Sequence, residues 1–272
     1  MTRRQSFTMM AAAAAASTIE KYIRFQNGSR VSWGRVEGDQ VVALSAAPYL
    51  NGRPLGGKKA LKGLKLLVPA DPPKVLAVGL NYKSHIGTRA VPKEPEIFYK
   101  PTTCLIPVGE PILIPPGAKN VHYEGELVVV MATGGKNLTP AQARAAIFGA
   151  TCGNDVSERD WQNGLQKDLQ WWRAKGSDTF GPLGPMLVRG ADYEKALLQT
   201  RLNNEVVQKQ FTSDLLFDCP TIVSYISKYV TLEAGDVIYT GTPGATKKMV
   251  DGDTVEIEIE GIGLLRNPVK AG

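Results

Sequence analysis

Cysteine and histidine are scarce in this chain, with 3 cysteines and 2 histidines among 272 residues. Cys104, Cys152 and Cys219 are isolated from one another and odd in number. This pattern provides no disulfide framework, and it argues against a zinc site built from cysteine and histidine. Each cysteine is therefore predicted to be a small, buried apolar side chain.

Long apolar runs and clusters of one charge are also missing. No stretch after the N-terminal alanines approaches the roughly 18 apolar residues of a membrane span, so we expect no membrane insertion. The net charge is +6, but lysine and arginine are spread among 26 acidic residues. Such a chain is a poor candidate for binding nucleic acid, and it suits small anionic ligands better. With 43% hydrophobic and 21% charged residues, its composition is that of a soluble globular protein.

Residues 1–16 differ from the rest of the chain. Arg3 and Arg4 precede a short apolar stretch and the run Ala11–Ala16, which is the plan of a secretory or twin-arginine signal. The alternatives are a frayed alanine helix and an extension from an upstream start. Because the apolar part is short and Phe7 stands one place late for a twin-arginine motif, we predict a cytoplasmic protein, with export as the alternative.

Turn signals divide the chain into three parts. Residues 1–16 form the extension, residues 17–73 a small β-rich unit with a linker, and residues 74–272 a larger domain. In the larger domain, strands are predicted at 74–79, 123–132, 185–188, 199–203, 205–209, 236–240, 253–259 and 263–268, and helices at 140–148, from 157 and at 220–229. The predicted fold class is α+β and β-dominated.

Two carboxylates stand two positions apart at the start of an apolar strand. Side chains alternate along a strand, so Glu124 and Glu126 share one face, with Cα atoms roughly 6.5 Å apart. Such a pair is commonly part of a solvated face. Here the strand continues as Leu127–Met131, apolar on both faces, so the pair is interpreted as buried and in need of a cation. Asp155 is a candidate third ligand, and three carboxylates favour Mg²⁺, Mn²⁺ or Ca²⁺ over zinc.

A helix is predicted just after Asp155. Ser157 and Asp160 have the spacing of a capping box, which marks a helix start. Arg159 and Gln162 would then lie one turn apart on this helix. Arg159 could hold a substrate carboxylate through two hydrogen bonds, or it could form a surface salt bridge.

Two loops add polar groups. Residues 175–185 are rich in glycine and proline and would fix Lys175, while residues 239–244 follow a strand and offer hydroxyl and backbone N–H groups, including those of Thr242. The second loop suits an oxyanion. Either loop alone is weak evidence, because turns of this composition more often serve topology.

Six motifs follow one another along the chain, and their order is highly specific although each alone is not. They are Gly79-Leu80-Asn81-Tyr82 with His85, Tyr99-Lys100-Pro101, Tyr123-Glu124-Gly125-Glu126-Leu127, Gly153-Asn154-Asp155-Val156-Ser157 with Arg159-Asp160, Lys175 through Pro185, and Gly241-Thr242-Pro243-Gly244. In this set the sequence resembles the fumarylacetoacetate hydrolase (FAH) family, especially its acylpyruvate hydrolase-like branch. The resemblance spans roughly residues 20–268.

The resemblance implies an FAH-type mixed β-roll catalytic domain, usually homodimeric, that acts on a small oxo acid. It also implies Mg²⁺ or Mn²⁺ on the positions of Glu124, Glu126 and Asp155. An ion there would polarise a carbonyl of a 1,3-dicarbonyl or 2-oxo acid.

The resemblance also implies roles for five further residues. Arg159, Gln162 and Thr242 would help to hold the substrate. Lys175 would stabilise an enolate or carbonyl oxygen, and His85 would activate water or move a proton.

One departure from the family pattern concerns His85. Hydrolytic members often carry a glutamate three residues later that orients the imidazole, but this chain has Thr88. Glu94 or Glu96 could fold back from the following loop to take that place. A weaker base at His85 would suit isomerase or decarboxylase chemistry, which needs proton transfer without an attacking hydroxide.

The sequence therefore favours a divalent-metal-dependent hydrolase that cleaves a C–C bond in an acylpyruvate or related 1,3-dicarbonyl acid. The alternatives are a 2-oxo acid decarboxylase or keto–enol isomerase of the same family, and a catalytically silent metal-binding member. His122 is interpreted as a residue that supports the ligands rather than as a ligand. Trp171 and Trp172 are interpreted as core or dimer-contact residues.

Overall fold

The computed structural model describes residues 18–272, so the N-terminal extension lies outside the described residues. Strands dominate the described chain, which confirms the predicted β-rich α+β class. The strands are β1 Glu20–Asn27, β2 Arg30–Glu37, β3 Gln40–Leu44, β4 Lys59–Ala60, β5 Leu66–Leu67, β6 Val75–Gly79, β7 Glu96–Lys100, β8 Leu105–Ile106, β9 Ile112–Ile114, β10 Val121–His122, β11 Gly125–Met131, β12 Ile147–Asn154, β13 Ser157–Glu158, β14 Gly181–Arg189, β15 Leu197–Leu202, β16 Glu205–Phe211, β17 Val237–Tyr239, β18 Thr254–Ile259 and β19 Gly263–Ala271. The α-helices are α1 Lys83–Ile86, α2 Pro140–Ala146, α3 Arg159–Asn163, α4 Trp172–Gly176 and α5 Cys219–Tyr229, and short 3₁₀ turns cover Pro48–Leu50, Thr102–Cys104 and Thr212–Asp214.

A mixed sheet of 12 strands runs through the described chain. Its main path has the order β4-β3-β2-β1-β14-β12-β11-β17-β6-β7, while β5 pairs with β1 and β8 with β14. A second sheet of 5 strands has the order β16-β15-β18-β19-β9, and β10 pairs with β13. The N-terminal strands join the large sheet where Glu20 of β1 pairs with Arg189 of β14. The two predicted units therefore share one sheet, and their division at residue 73 stays a prediction.

Strand β11 is buried on both faces, as its continuous apolar run indicates. Leu127 and Val129 pack in the core between the large sheet and the 5-stranded sheet. Val128 and Val130 pack on the opposite face with residues of β14 and β17. A strand held between two cores has a fixed register, so the acidic residues at its start are rigidly placed.

Three helices were expected, and capping explains where they begin. Helix α2 starts with a complete capping box at Thr139, and α5 starts after Asp218, whose carboxylate accepts from a backbone N–H. The capping box predicted for Ser157 and Asp160 does not form. Glu158 caps α3 instead, because its carboxylate reaches the N–H of the third residue of that helix, and Ser157 lies in β13.

The cysteines are buried and free, as predicted. Burial raises the pKa of the Cys104 thiol to about 11 and that of Cys152 to about 12, so both remain uncharged at neutral pH. Among residues 18–272, no helix is long and apolar enough to cross a membrane.

Candidate metal centre and substrate cavity

The three predicted carboxylates meet in the structure. Glu124, Glu126 and Asp155 are buried, and each offers an oxygen within 4.8 Å of the others. Strand pairing causes this convergence, because β11 and β12 run antiparallel with Gly125 opposite Asn154. The amide N–H of Asp155 also donates to the carbonyl of Glu124 at 2.9 Å. Two strand ends thus bring together acids that are about 30 residues apart in the sequence.

Two buried lysines and one arginine face these acids. Lys175 Nζ lies 2.6 Å from Glu124 Oε2 and 2.5 Å from Asp155 Oδ2. Lys100 Nζ lies 2.7 Å from Asp155 Oδ1 and also donates to the backbone carbonyl of Lys175. Arg159 Nη2 lies 2.5 Å from Glu124 Oε1. The positive charges therefore pair with Glu124 and Asp155.

The pKa values of Glu124 and Glu126 are shifted in opposite directions, because Arg159 and Lys175 pair with Glu124 and not with Glu126. Burial alone would raise the pKa of Glu124, but the charges of Arg159 and Lys175 outweigh burial and lower that pKa below its ordinary value. Burial, together with the charges of Asp155 and Glu124, raises the pKa of Glu126 well above its ordinary value. The centre thus lacks positive charge on the side of Glu126.

A hard divalent ion fits this donor set. The three carboxylates supply only oxygen, which suits Mg²⁺, Mn²⁺ or Ca²⁺. Glu126 accepts the N–H of Gly241 at 2.7 Å, but within residues 18–272 it forms no ion pair with a lysine, arginine or histidine. A bound divalent ion would supply that missing charge. Glu124, Glu126 and Asp155 are the residues that would hold it.

Manganese affinity is expected to rise with pH. Glu126 must lose its proton before it can bind an ion, and its raised pKa means that it keeps the proton above the usual range of a glutamic acid. Calorimetric titration with Mn²⁺ from about pH 5 to about pH 8 should show tighter binding and less proton release as the pH increases. Affinity that is independent of pH, without proton release, would contradict the raised pKa.

The imidazole of His85 reaches the acids from α1. Its Nδ1 lies 2.7 Å from the carbonyl oxygen of Gly244, and its Nε2 lies 3.7 Å from Glu124 Oε1. A carbonyl can only accept, so Nδ1 carries the hydrogen and Nε2 keeps its lone pair. Burial lowers the pKa of His85, so the ring is neutral at neutral pH.

Neither candidate glutamate folds back onto His85. Glu94 accepts a hydrogen bond from the Tyr225 hydroxyl at 3.1 Å, and Glu96 is exposed on β7. The prediction that Glu94 or Glu96 orients the imidazole is wrong, because Nδ1 of His85 is hydrogen-bonded to the carbonyl of Gly244 instead. Residue types alone do not signal such a backbone partner.

Arg159 lies in a network rather than in a surface salt bridge. Besides Glu124, its guanidinium donates to Gln162 Oε1 at 2.7 Å and to Thr246 Oγ1 at 2.8 Å. Nδ1 of His122 lies 2.9 Å from the same Thr246 oxygen. His122 is outside the carboxylate cluster, which agrees with its interpretation as a supporting residue.

Thr242 is buried beside the same centre and is held by a residue that the sequence reasoning missed. Its hydroxyl donates to the carbonyl of Gly125 at 3.0 Å and accepts from Gln208 Nε2 at 2.8 Å. Gln208 also donates to the carbonyl of Pro243, so it ties β16 to the loop that carries Thr242. A glutamine in a partly exposed strand has no pattern that could have revealed this role.

A cavity of about 530 Å³ opens over the acidic cluster. The sequence predicted eight site residues, and seven of them line this cavity, while Asp155 is buried below it. The seven are His85, Glu124, Glu126, Arg159, Gln162, Lys175 and Thr242.

Trp171 and Trp172 are not core residues, and their interpretation as dimer-contact residues stays a prediction. Trp171 lines the cavity and packs edge-on against Phe98, with ring centroids 5.5 Å apart. Trp172 is 69% exposed. The turn before α4 therefore places Trp171 in the cavity wall.

Known proteins match this chain along nearly all its described length. A model of the fumarylacetoacetate (FAA) hydrolase C-terminal domain matches residues 74–270, and a model of the Rv2993c-like N-terminal domain matches residues 20–69. An uncharacterized protein of Archaeoglobus fulgidus is 48% identical over 214 residues, which are 78% of this chain and 84% of that protein.

Two further matches have named activities. The mitochondrial oxaloacetate tautomerase Fahd2a of Rattus norvegicus is 38% identical over 210 residues, which are 73% of this chain and 66% of that protein. The crystal structure of 5-carboxymethyl-2-hydroxymuconate delta-isomerase from Mycobacterium smegmatis is 41% identical, with a TM-score of 0.86, over 93% of this chain and 100% of that chain. With the family model covering residues 74–270, this chain belongs to the fumarylacetoacetate hydrolase family.

Proposed function

We propose that this protein is a divalent-metal-dependent keto–enol isomerase, or tautomerase, of a 2-oxo acid. The proposal rests on the surroundings of the two ring nitrogens of His85. Its Nδ1 is bound to the carbonyl of Gly244, and its free Nε2 faces Glu124 in the cavity. This geometry supports the isomerase, which the sequence left as an alternative, over the C–C hydrolase.

His85 is suited to move a proton at carbon. A Mg²⁺ or Mn²⁺ ion on Glu124, Glu126 and Asp155 would polarise the 2-oxo group and make the neighbouring C3–H bond acidic. Nε2 of His85 then takes the C3 proton, and the C–H electron pair forms the C2–C3 double bond while charge moves to the C2 oxygen. The protonated imidazole of His85 then gives this proton to the C2 oxygen, which yields the enol. The reverse sequence converts the enol to the keto acid.

Lys175 would stabilise the oxygen on which charge develops. Its ammonium group is buried between Glu124 and Asp155, and it also lines the cavity. A fixed positive charge in a buried site stabilises an enolate more than it would in water. Lys100 positions Lys175, because it donates to the backbone carbonyl of that residue.

Water activation would ask more of His85 than proton transfer at a polarised carbon. Water is a weak acid, and deprotonating it requires stabilisation of the resulting imidazolium, usually by a carboxylate at the other ring nitrogen. In residues 18–272 that nitrogen contacts the carbonyl of Gly244, with no carboxylate on it. The tautomerase and isomerase activities named for the rat and M. smegmatis relatives support the same choice.

A C–C hydrolase acting on acylpyruvates is the second candidate. The cavity of about 530 Å³ favours it, because that volume accommodates an acyl group and a water molecule beside the 2-oxo acid. Both reactions would use the same metal ligands and His85.

Absorbance of the enol form distinguishes the two reactions. Enol oxaloacetate and a panel of acylpyruvates are mixed with the protein and Mg²⁺ or Mn²⁺, and pyruvate is measured in parallel. Metal-dependent loss of enol absorbance without pyruvate release supports the tautomerase. Stoichiometric release of pyruvate and the matching acid from acylpyruvates would assign the hydrolase instead.

Thr88→Glu is expected not to increase acylpyruvate hydrolysis. Helix α1 ends at Ile86, and Gly87 turns the chain with a positive φ of 64°; Thr88 after it is exposed. The introduced carboxylate would also have to displace the carbonyl of Gly244 from His85. Pyruvate release by Thr88→Glu is compared with that of Thr88→Gln, and a clear gain for glutamate alone would place the hydrolase first.

A further inference from the structure

We infer that Arg89 binds a second, distal carboxylate of the substrate, so that the protein selects 2-oxo dicarboxylic acids over 2-oxo monocarboxylic acids. The inference rests on the proposed function and deepens it by naming the substrate class. Arg89 lines the same cavity as His85 and Arg159. It is exposed, whereas Glu124 and Glu126 are buried, so it lies toward the open side of the cavity.

The guanidinium of Arg89 is held in place but is not neutralised. Its Nε donates to the carbonyl of Ile86 at 3.2 Å, and its Nη2 lies 3.4 Å from the carbonyl of His85. An arginine has five N–H donors, so most of them remain available. The two carbonyls at the end of α1 thereby fix Arg89 next to the segment that carries the catalytic imidazole.

Arg89 differs from the other cations at the centre in having no carboxylate partner. Arg159 and Lys175 pair with Glu124, and Lys100 pairs with Asp155. No carboxylate within residues 18–272 forms an ion pair with Arg89 at 4.0 Å or less, although it lines a cavity that contains two acids. A guanidinium group that is held in place in a ligand cavity, with free N–H groups and no carboxylate partner, is suited to bind a carboxylate of the ligand.

The overall charge of the centre also favours a dianion. Three carboxylates face Lys100, Arg159 and Lys175, and these charges balance. A divalent ion and Arg89 then leave an excess of positive charge. A substrate with two carboxylates reduces that excess further than a substrate with one, and opposite charges attract most strongly where water is partly excluded.

Matched ligand pairs test the inference by binding rather than by turnover. Calorimetry with the manganese-loaded protein compares 2-oxoglutarate with 2-oxopentanoate, and 2-oxoadipate with 2-oxohexanoate. Each pair differs only by a distal carboxylate in place of a methyl group. The wild-type protein is expected to bind the dicarboxylate of at least one pair with about tenfold higher affinity than the monocarboxylate. This is the size of effect expected for one charge-assisted hydrogen bond to an arginine that is partly exposed to solvent.

Three variants identify the residue. Arg89→Gln should remove the preference while leaving the affinity for the monocarboxylates unchanged, and Arg89→Lys should retain part of it. Arg30→Gln removes the same charge from the exposed first residue of β2, and it should keep the full preference. Equal weakening of both members of a pair by Arg89→Gln would mean that Arg89 only supports α1, and this would overturn the inference.

The proposed function can fail separately from this inference. A wild-type preference that is lost in Arg89→Gln, without any tautomerisation of either acid, would support the carboxylate site and refute the tautomerase. Tautomerase activity with no preference for dicarboxylates, or with a preference that survives in Arg89→Gln, would overturn the role of Arg89 alone.

Discussion

Glu126→Gln is expected to abolish metal-dependent turnover and to weaken Mn²⁺ binding by at least about 10²-fold. Mutation of a residue that only hydrogen-bonds a metal ligand already lowers metal affinity by about 10–100-fold, and Glu126 is itself a proposed ligand. The substitution should preserve the fold. Its amide oxygen can still accept the N–H of Gly241, which donates to Glu126 Oε2 at 2.7 Å. Calorimetry with Mn²⁺ and the enol absorbance assay measure the two effects.

The stability of the metal-free variant provides an independent check. The pKa of Glu126 is raised by burial and by the charges of Asp155 and Glu124, so ionisation of Glu126 destabilises the metal-free fold increasingly as the pH rises. A neutral glutamine removes this cost, and the metal-free melting temperature should therefore be equal or higher at neutral pH. The increase in melting temperature caused by Mn²⁺ should be lost.

The matched control for this substitution is Glu260→Gln at the exposed turn between β18 and β19. It changes the same functional group away from the centre, and it should bind Mn²⁺ like the wild type. A Glu126→Gln variant that remains fully active, or whose Mn²⁺ affinity equals that of the control, would refute the metal site.

His85→Ala is expected to lower turnover by about 10²–10⁴-fold, the usual contribution of a positioned acid or base. Manganese binding should change little, because His85 lies outside the cluster of three carboxylates. Steady-state kinetics with Mg²⁺, together with Mn²⁺ calorimetry, separate these two effects.

His122→Gln is the comparison variant, since His122 is the only other histidine of the chain. His122 and Arg159 contact the same hydroxyl oxygen of Thr246, so the expected effect of His122→Gln is a raised KM rather than a large loss of kcat. Equal losses of kcat in the two variants would contradict the assignment of proton transfer to His85.

Features set by local sequence could be predicted. The continuous apolar run of β11 indicated a strand buried on both faces, and the alternation of side chains placed Glu124 and Glu126 on one face. The structure confirms the buried strand and brings Asp155 to the same cluster. Asp155 was proposed as the third acid of this set, although strand β12 before it was not predicted and the helix after it is capped by Glu158 rather than by Ser157.

Strand β12 shows why part of the fold could not be predicted. Its sequence contains Gly149 and Gly153, which weaken any strand signal. Both glycines are required by neighbours distant in sequence. A Cβ at Gly149 would lie 2.2 Å from the carbonyl oxygen of Val188, and one at Gly153 would lie 2.4 Å from a methyl carbon of Val128. Tertiary packing, rather than local propensity, makes this segment a strand.

The unpredicted parts of the candidate site also depend on contacts between distant segments. Lys100 reaches Asp155 from β7, and Gly244 presents a backbone carbonyl to His85. A lysine at a strand end has many ordinary explanations, and a carbonyl belongs to every residue. The missing glutamate at position 88 was visible in the sequence, but what replaces it was not. The expected homodimer likewise stays a prediction.

Proton transfer at C3 can be measured directly by proton NMR, as exchange of the C3 protons of a 2-oxo acid with solvent deuterium in the presence of the Mg²⁺-loaded protein. We expect exchange that requires Mg²⁺, is lost in Glu126→Gln and falls by about 10²–10⁴-fold in His85→Ala. Exchange at the wild-type rate without a divalent ion, or in the His85→Ala variant, would contradict proton transfer by His85 at this metal centre.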